Sequence, residues 1–276
     1  MVLALWLAAA LAGTVNEPVA NMYSRPTVDA DVVSQSIYGS HVSYREQQAG
    51  WVKVQSFDKY TGWMEISRLK EADSKAYAST GKTAWVSSLF AHLYREQNVT
   101  RHQPVITLPF ESTLEVVAEP EGNGKRWLQV RLVDDRNVWV QRGDLSFTPN
   151  QLNVDQVIEL SKRFLGLPYT WGGTSSFGYD CSGFTQMLCR RQGVMLPRDA
   201  GPQAEWDGVK AVERGALQAG DLLYFGAQAK KITHTGLYIG DGQFIHAAVS
   251  GRPVVQISRL DDQPWTKLFI SARRPK

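Results

Sequence analysis

Asp180-Cys181-Ser182-Gly183-Phe184 stands where a glycine-rich loop gives way to a helix. Tyr169-Thr170-Trp171-Gly172-Gly173 precedes it, and the run from Ser182 to Arg191 carries no proline before Gly193 ends it. A cysteine in the first turn of a helix faces unpaired backbone N–H groups and the positive end of the dipole, an environment that favours thiolate. The free thiol needs such help, because with a pKa of about 8.5 it is mostly protonated at neutral pH. The other cysteine, Cys189, lies eight residues along the same helix. That is about 12 Å of axial rise, too far for a disulfide, so both thiols are expected free and Cys189 reads as a small buried hydrophobe.

A thiol nucleophile needs a base from elsewhere in the fold, and of the five histidines only His234 and His246 lie in the second half. A lone histidine on an apolar strand is more often core than catalyst; two flanking one hairpin change that weighting. The segment from His234 to His246 turns at Gly240-Asp241-Gly242. A three-residue loop with Gly242 left-handed sets Ile239 opposite Gln243 and puts both histidines on one sheet face, one diagonal step apart. A two-residue loop sends them to opposite faces, so an orienting role for His246 depends on the longer turn.

Working outward, residues 154–164 show apolar positions at 154, 157, 158, 160 and 164, a helical stripe that stops at Gly166-Leu167-Pro168. After the cysteine helix come strand signals at 221–225, 233–239, 243–248, 254–257 and 268–272. Helices first and strands afterwards predict an α+β domain over 149–276.

The first half repeats itself. Trp51-Val52-Lys53-Val54-Gln55, Gly62-Trp63-Met64 and Leu69 align with Trp127-Leu128-Gln129-Val130-Arg131, Val138-Trp139-Val140 and Leu145, the tryptophans spaced by twelve and the leucine following six later in both. Asn21-Met22-Tyr23 and His92-Leu93-Tyr94 occupy comparable upstream positions. Alternation within each copy and turn residues at Asp58, Gly62, Asp134, Asp135 and Asn137 give short strands joined by hairpins. Two small β-barrels are predicted, 14–76 and 77–148, and the pattern resembles bacterial SH3-like domains. Any single tryptophan in such a barrel is most often core.

Residues 1–12 form an apolar run ending in Ala10-Leu11-Ala12, the form of a secretory h-region and cleavage site, although no Lys or Arg precedes it. Two readings follow, a signal-like segment over 1–13 with export to the periplasm or cell envelope, slightly favoured, or a buried first strand. The run is too short to span a bilayer, so no integral membrane association is expected. With 276 residues, 43% hydrophobic and 21% charged, the chain is that of a folded multi-domain protein. A formal net charge of +3 with scattered Lys and Arg makes nucleic acid an unexpected partner.

Together these residues resemble the NlpC family of papain-like cysteine peptidases, in which the DCSGF segment opens the nucleophile helix, an HTG or HVG strand carries the base, and a polar residue on the next strand completes the set. Leu196-Pro197-Arg198-Asp199, Gln203, Gly220-Asp221-Leu222-Leu223-Tyr224 and Phe244-Ile245-His246 also fit. The resemblance implies two SH3-like barrels followed by an α+β papain-like peptidase domain, with Cys181 as nucleophile, His234 as base, His246 as its orienting partner, and the Tyr169 hydroxyl with the Cys181 N–H as oxyanion hole. It implies peptidoglycan-derived stem peptides as substrate and no cofactor or metal. Within the family, members with two preceding SH3-like domains, the dipeptidyl-peptidase VI type, release L-Ala-γ-D-Glu from peptides with a free N-terminal alanine. Such a substrate needs an acceptor for its ammonium and donors for its D-Glu α-carboxylate. Asp180 and Ser182 flank the nucleophile and would serve; Glu65, in Tyr60-Thr61-Gly62-Trp63-Met64-Glu65, is a further acceptor by the same resemblance or simply an exposed strand carboxylate, and Tyr94 is a candidate for the pocket wall. The rival readings are an endopeptidase acting on intact wall held by the SH3-like domains, a catalytically silent wall-binding protein, and transfer to an amine in place of water.

Overall fold

The computed structural model describes residues 12–72, 77–79, 81–148, 150–228 and 231–276. The chain divides into two compact units, Met1–Phe147 and Thr148–Lys276.

The repeat seen in the sequence is a repeat of topology. In the first copy β1 (Ala12–Val15), β2 (Val19–Tyr23), β3 (Val32–Ile37), β4 (His41–Gln48), β5 (Trp51–Gln55), β6 (Thr61–Glu65) and β7 (Leu69–Ala72) form one sheet in the order β3-β2-β6-β5-β4-β1-β7. In the second, β8 (Lys82–Val86), β9 (Phe90–Tyr94), β10 (Ile106–Pro109), β11 (Thr113–Ala118), β12 (Trp127–Arg131), β13 (Asn137–Gln141) and β14 (Leu145–Ser146) run in the order β10-β9-β13-β12-β11-β8-β14, the same path. Register agrees too: Tyr23 opposes Trp63 and Tyr94 opposes Trp139. Each copy sets its tyrosine edge-on against the tryptophan that starts the preceding strand, Tyr23 on Trp51 at 5.5 Å and Tyr94 on Trp127 at 5.9 Å between ring centres. Trp63 and Trp127 are buried, as the core reading expects, whereas Trp51 and Trp139 are half-buried.

Alternation in the strands puts every second residue inside. Val52, Val54 and Met64 join Val15, Ala20, Met22 and Val42 in the first core; Leu128, Val130, Val138 and Val140 do the same in the second. Tyr38, just after β3, packs with the second core and accepts a hydrogen bond from the Val133 N–H at 2.6 Å, so the two sheets share a seam. Of the apolar run 1–12 only Ala12 lies within the described residues; it begins β1, two residues before the boundary read from the sequence, paired with both β4 and β7.

The second unit is α+β. Helix α1 (Val154–Lys162) starts at a capping box, Asn153 accepting from the Gln156 N–H while the Gln156 side chain accepts from the Asn153 N–H. Its buried stripe of Val157, Ile158, Leu160 and Ser161 follows the predicted spacing. The short hairpin β15 (Thr174–Ser175) and β16 (Gly178–Tyr179) leads into α2 (Cys181–Arg191), buried from Cys181 through Cys189. After α3 (Ala200–Glu205), β17 (Val209–Val212), β18 (Leu222–Phe225), β19 (His234–Gly240), β20 (Gln243–Ala248) and β21 (Val254–Arg259), the chain closes with α4 (Trp265–Leu268) and β22 (Phe269–Pro275). The sheet order is β17-β22-β18-β19-β20-β21, antiparallel throughout, and α2 packs on β19 and β20.

Candidate active site

The hairpin between β19 and β20 differs from the turn expected at Gly240-Asp241-Gly242. Gly240 opposes Gln243 across a two-residue turn, Asp241 and Gly242 both having positive φ (51° and 72°) as a type I′ turn requires. Ile239 is an extra residue that restores the pairing of Tyr238 with Phe244 and Leu237 with Ile245. The shorter turn alone would have split the histidines between faces. The bulge brings them back together, His246 opposite Gly236 and diagonal to His234.

That bulge has a visible product. His234 Nε2 lies 2.7 Å from His246 Nδ1, and His246 Nε2 lies 3.0 Å from the Ser258 hydroxyl. Gly236 makes the approach possible: a Cβ there would stand 2.8 Å from Phe244 Cδ2 and 3.0 Å from His246 Cβ, so any side chain would push both rings away. Trp265 stacks on His234 at 5.2 Å and meets His246 edge-on at 4.7 Å, and Phe225 covers His234 at 5.8 Å. In this aromatic box burial holds the His234 imidazole down to about 4 and His246 well below its ordinary 6.5, the latter also through the neighbouring ring.

Cys181 is the first residue of α2, so its own N–H has no partner within the helix. Its sulfur accepts from the backbone N–H of Thr235, the residue after His234, and from that of Ser182. The contact with the helix start is the one anticipated, and it does favour thiolate, but burial is the larger influence and, with the Asp180 charge second, pushes the thiol up to about 12. Burial thus favours the neutral form of both the thiol and the imidazole. Cys189 is fully buried and free, also pushed up to about 12 by burial alone, as befits a core residue.

Asp180 caps α2. Its Oδ1 accepts the Gly183 N–H at 2.7 Å, the Ser182 hydroxyl at 3.3 Å and Arg198 Nη1 at 3.0 Å, and its Oδ2 accepts Arg198 Nη2 at 2.5 Å. Arg198 Nη1 also donates to Ser182 Oγ at 2.9 Å, and the residue is 2% exposed. In the sequence Arg198 stands within Leu196-Pro197-Arg198-Asp199, with no partner indicated. Its pairing with Asp180, eighteen positions away, has no local sequence signal, although a buried carboxylate implies that some cation must lie against it. Gln203 is wholly buried and donates to the carbonyls of Ser182 at 3.1 Å and Pro197 at 2.9 Å, bracing the same turn. Gly183 is obligatory for another reason: a Cβ on it would run into the Gly173 carbonyl, the oxygen that accepts the Asp180 N–H at 3.1 Å. The Tyr169–Gly173 and Asp180–Phe184 segments are thus two sides of one close contact.

Tyr169 is set by its N–H donating to Pro253 at 2.9 Å and by a bridge to Tyr179. Burial, then the negative charges that Cys181 and Asp180 can carry, push its phenol above the ordinary range, so it stays a proton donor beside the thiol.

The remaining candidates lie in the first unit. Glu65 ends β6, half-buried, ion-paired with Arg68 at 3.1 Å, and lines a hollow of about 210 Å³ with Val19, Ala20, Asn21, Tyr23 and Arg68. Tyr94 is 7% exposed, packed in its barrel against Trp127. Among the described residues no group of three or more His, Cys, Asp or Glu side chains is placed to hold a metal ion, and no helix is long and apolar enough to cross a membrane.

An α+β unit whose central helix begins with a buried thiol, laid on strands that carry paired imidazoles, has the build of a papain-like cysteine peptidase. Residues 166–274 match the NlpC/P60 family and residues 22–69 match the bacterial dipeptidyl-peptidase Sh3 domain. The chain is similar to the gamma-D-glutamyl-L-lysine dipeptidyl-peptidase of Bacillus cereus, 31% identical over 256 residues that cover 87% of this chain and 74% of that one. It is similar to dipeptidyl-peptidase 6 of Lysinibacillus sphaericus at 27% identity, covering 89% and 90% of the two chains. A crystal structure of an NlpC/P60 family protein from Bacillus cereus superimposes with a TM-score of 0.80 at 26% identity over 96% of this chain and 99% of that one. The chain belongs to the NlpC/P60 family: it is a cysteine peptidase with N-terminal SH3-like domains.

Proposed function

We propose that the protein hydrolyses the γ-D-glutamyl–diamino acid bond of peptidoglycan stem peptides whose N-terminal L-Ala is free, releasing L-Ala-γ-D-Glu. The observation that carries the chemistry is the sulfur of Cys181 held by the amide of Thr235, the residue that follows His234, whose Nε2 is already engaged by His246. Nδ1 is then the nitrogen left to take the thiol proton. As Sγ attacks the γ-carbonyl the proton passes to His234, and the charge developing on the carbonyl oxygen is met by the Cys181 N–H and the Tyr169 hydroxyl; one such donor contributes roughly 3 kcal/mol. His234 then protonates the departing amine, leaving a thioester. Water, deprotonated by His234, releases the acid and restores the thiol.

The substrate assignment is supported by the names of the relatives, dipeptidyl-peptidases for gamma-D-glutamyl-L-lysine peptides, matched across both SH3-like copies and the peptidase unit. Asp180 and Ser182 are committed first to Arg198; Asp180 Oδ2 retains a lone pair for a substrate ammonium, and the Ser182 hydroxyl serves the α-carboxylate by turning from Asp180. The test is L-Ala-γ-D-Glu-L-Lys with its N-terminus free or acetylated. Loss of cleavage on acetylation is expected; equal rates would leave the endopeptidase on intact wall as the reading to keep.

A further inference from the structure

We infer that Ser258 is a positioning residue of the active site, its hydroxyl accepting the Nε2 proton of His246 so that Nδ1 of His246 remains an acceptor for His234. The inference rests on the Cys181–His234 reading above.

His246 is 0% exposed, and its two ring nitrogens have one partner each, His234 Nε2 at 2.7 Å and Ser258 Oγ at 3.0 Å. The rest of its surroundings is aromatic, Phe244 at 4.5 Å and Trp265 at 4.7 Å between ring centres, with Gly236 facing it across the strands. Ser258 opposes Phe244 on β21 while His246 opposes Gln256, which puts the hydroxyl on the same sheet face as the ring and one diagonal away.

A neutral imidazole carries one N–H, and here the choice of nitrogen decides whether the base works. With the proton on Nδ1, His246 donates to His234 Nε2; His234 must then carry its own proton on Nδ1, the nitrogen required by the thiol, and the base is blocked. With the proton on Nε2, His246 accepts from His234 through Nδ1, and Nδ1 of His234 is open. Once His234 takes the thiol proton it is an imidazolium with two N–H groups, and only the second arrangement offers Nε2–H a lone pair. That arrangement needs an acceptor for the Nε2 proton of His246 inside an apolar box. Ser258 Oγ is that acceptor. A buried N–H left without one costs about 1–3 kcal/mol, and the loss falls on the step in which His234 is charged. No proton leaves the chain by this route; the serine only fixes where the His246 proton sits.

The experiment is steady-state turnover of L-Ala-γ-D-Glu-L-Lys by Ser258→Ala and Ser258→Thr, with nitrogen NMR of histidine-labelled protein reporting which ring nitrogen of His246 is protonated. Ser258→Ala is expected to lower kcat about tenfold with KM held within about twofold, and to move the His246 proton toward Nδ1. Ser258→Thr, which keeps the hydroxyl, is expected to restore both. Wild-type protein in which His246 is protonated on Nδ1 would overturn the inference without any variant, as would Ser258→Ala turning over at the wild-type rate. If Cys181→Ala remains active, the reading beneath fails; if it is dead while Ser258→Ala runs at full rate, only the role of Ser258 fails.

Discussion

His234 and His246 stand 2.7 Å apart, Nε2 to Nδ1, because a single bulged residue, Ile239, corrects the register of the hairpin that joins them. Deleting Ile239 would reverse the facing of every residue N-terminal to it on β19 relative to β20. Replacing His246 tests the contact more gently. His246→Leu is expected to lower kcat roughly 100-fold with little change in KM, while His246→Asn, which presents an amide oxygen near the position of Nδ1, is expected to retain about ten times more activity than the leucine variant.

The buried Arg198–Asp180 pair predicts a non-additive result. Arg198→Met leaves a carboxylate uncompensated beside the thiol and is expected to destabilise the peptidase unit by about 3 kcal/mol; the double change Asp180→Asn with Arg198→Met recovers part of that, since it removes both charges and keeps a capping side chain. Calorimetric melting of the four proteins in the cycle gives the coupling. Additive losses would mean that the pair is not coupled as the 2.5 Å contact indicates.

Gly183→Ala directs a methyl group at the Gly173 carbonyl, which must retreat and release the Asp180 amide. The expected outcome is a protein with secondary structure intact by circular dichroism and kcat lowered at least tenfold, because the loop bearing Tyr169 and the start of α2 no longer share their contact.

The depressed His234 value makes stability depend on pH. As pH falls, the unfolded chain protonates this histidine near 6.5 while the native protein resists until about 4, so between those values the unfolded state binds the extra proton and acid weakens the fold. The slope from this one group is at most about 1.4 kcal/mol per pH unit. The raised thiol acts at the other end: from about 9 to about 12 the unfolded thiol ionises first, and stability falls as pH rises. His234→Gln is expected to flatten the acid limb of denaturation midpoint against pH, and Cys181→Ala the alkaline limb; unchanged limbs would count against the burial of these groups.

The helices and strands around the site were legible because they obey periodicity: β20 runs over the expected residues, and α2 begins one residue before the expected start. The duplication was legible through its tryptophans, since register in a small barrel leaves few positions for so large a side chain. Less was visible where Gly and Pro interrupt a short element, as in Ala200-Gly201-Pro202 at the head of α3, or where an edge strand is brief, as in β17. The histidine pair was legible as a conditional, and its condition on the loop length was wrong in form: a two-residue turn plus a bulge has the same net register as a three-residue loop, and composition does not separate them. Arg198 and Ser258 were not legible as site residues, because their partners come from other elements of the fold.

The most direct test of the central claim is turnover of L-Ala-γ-D-Glu-L-Lys by Cys181→Ala, with thermal melting run alongside. The account predicts a folded protein, melting within a few degrees of wild type, that releases no dipeptide. Dipeptide released at a measurable fraction of the wild-type rate would show that the bond is broken without this sulfur, and the acyl-transfer mechanism would be wrong.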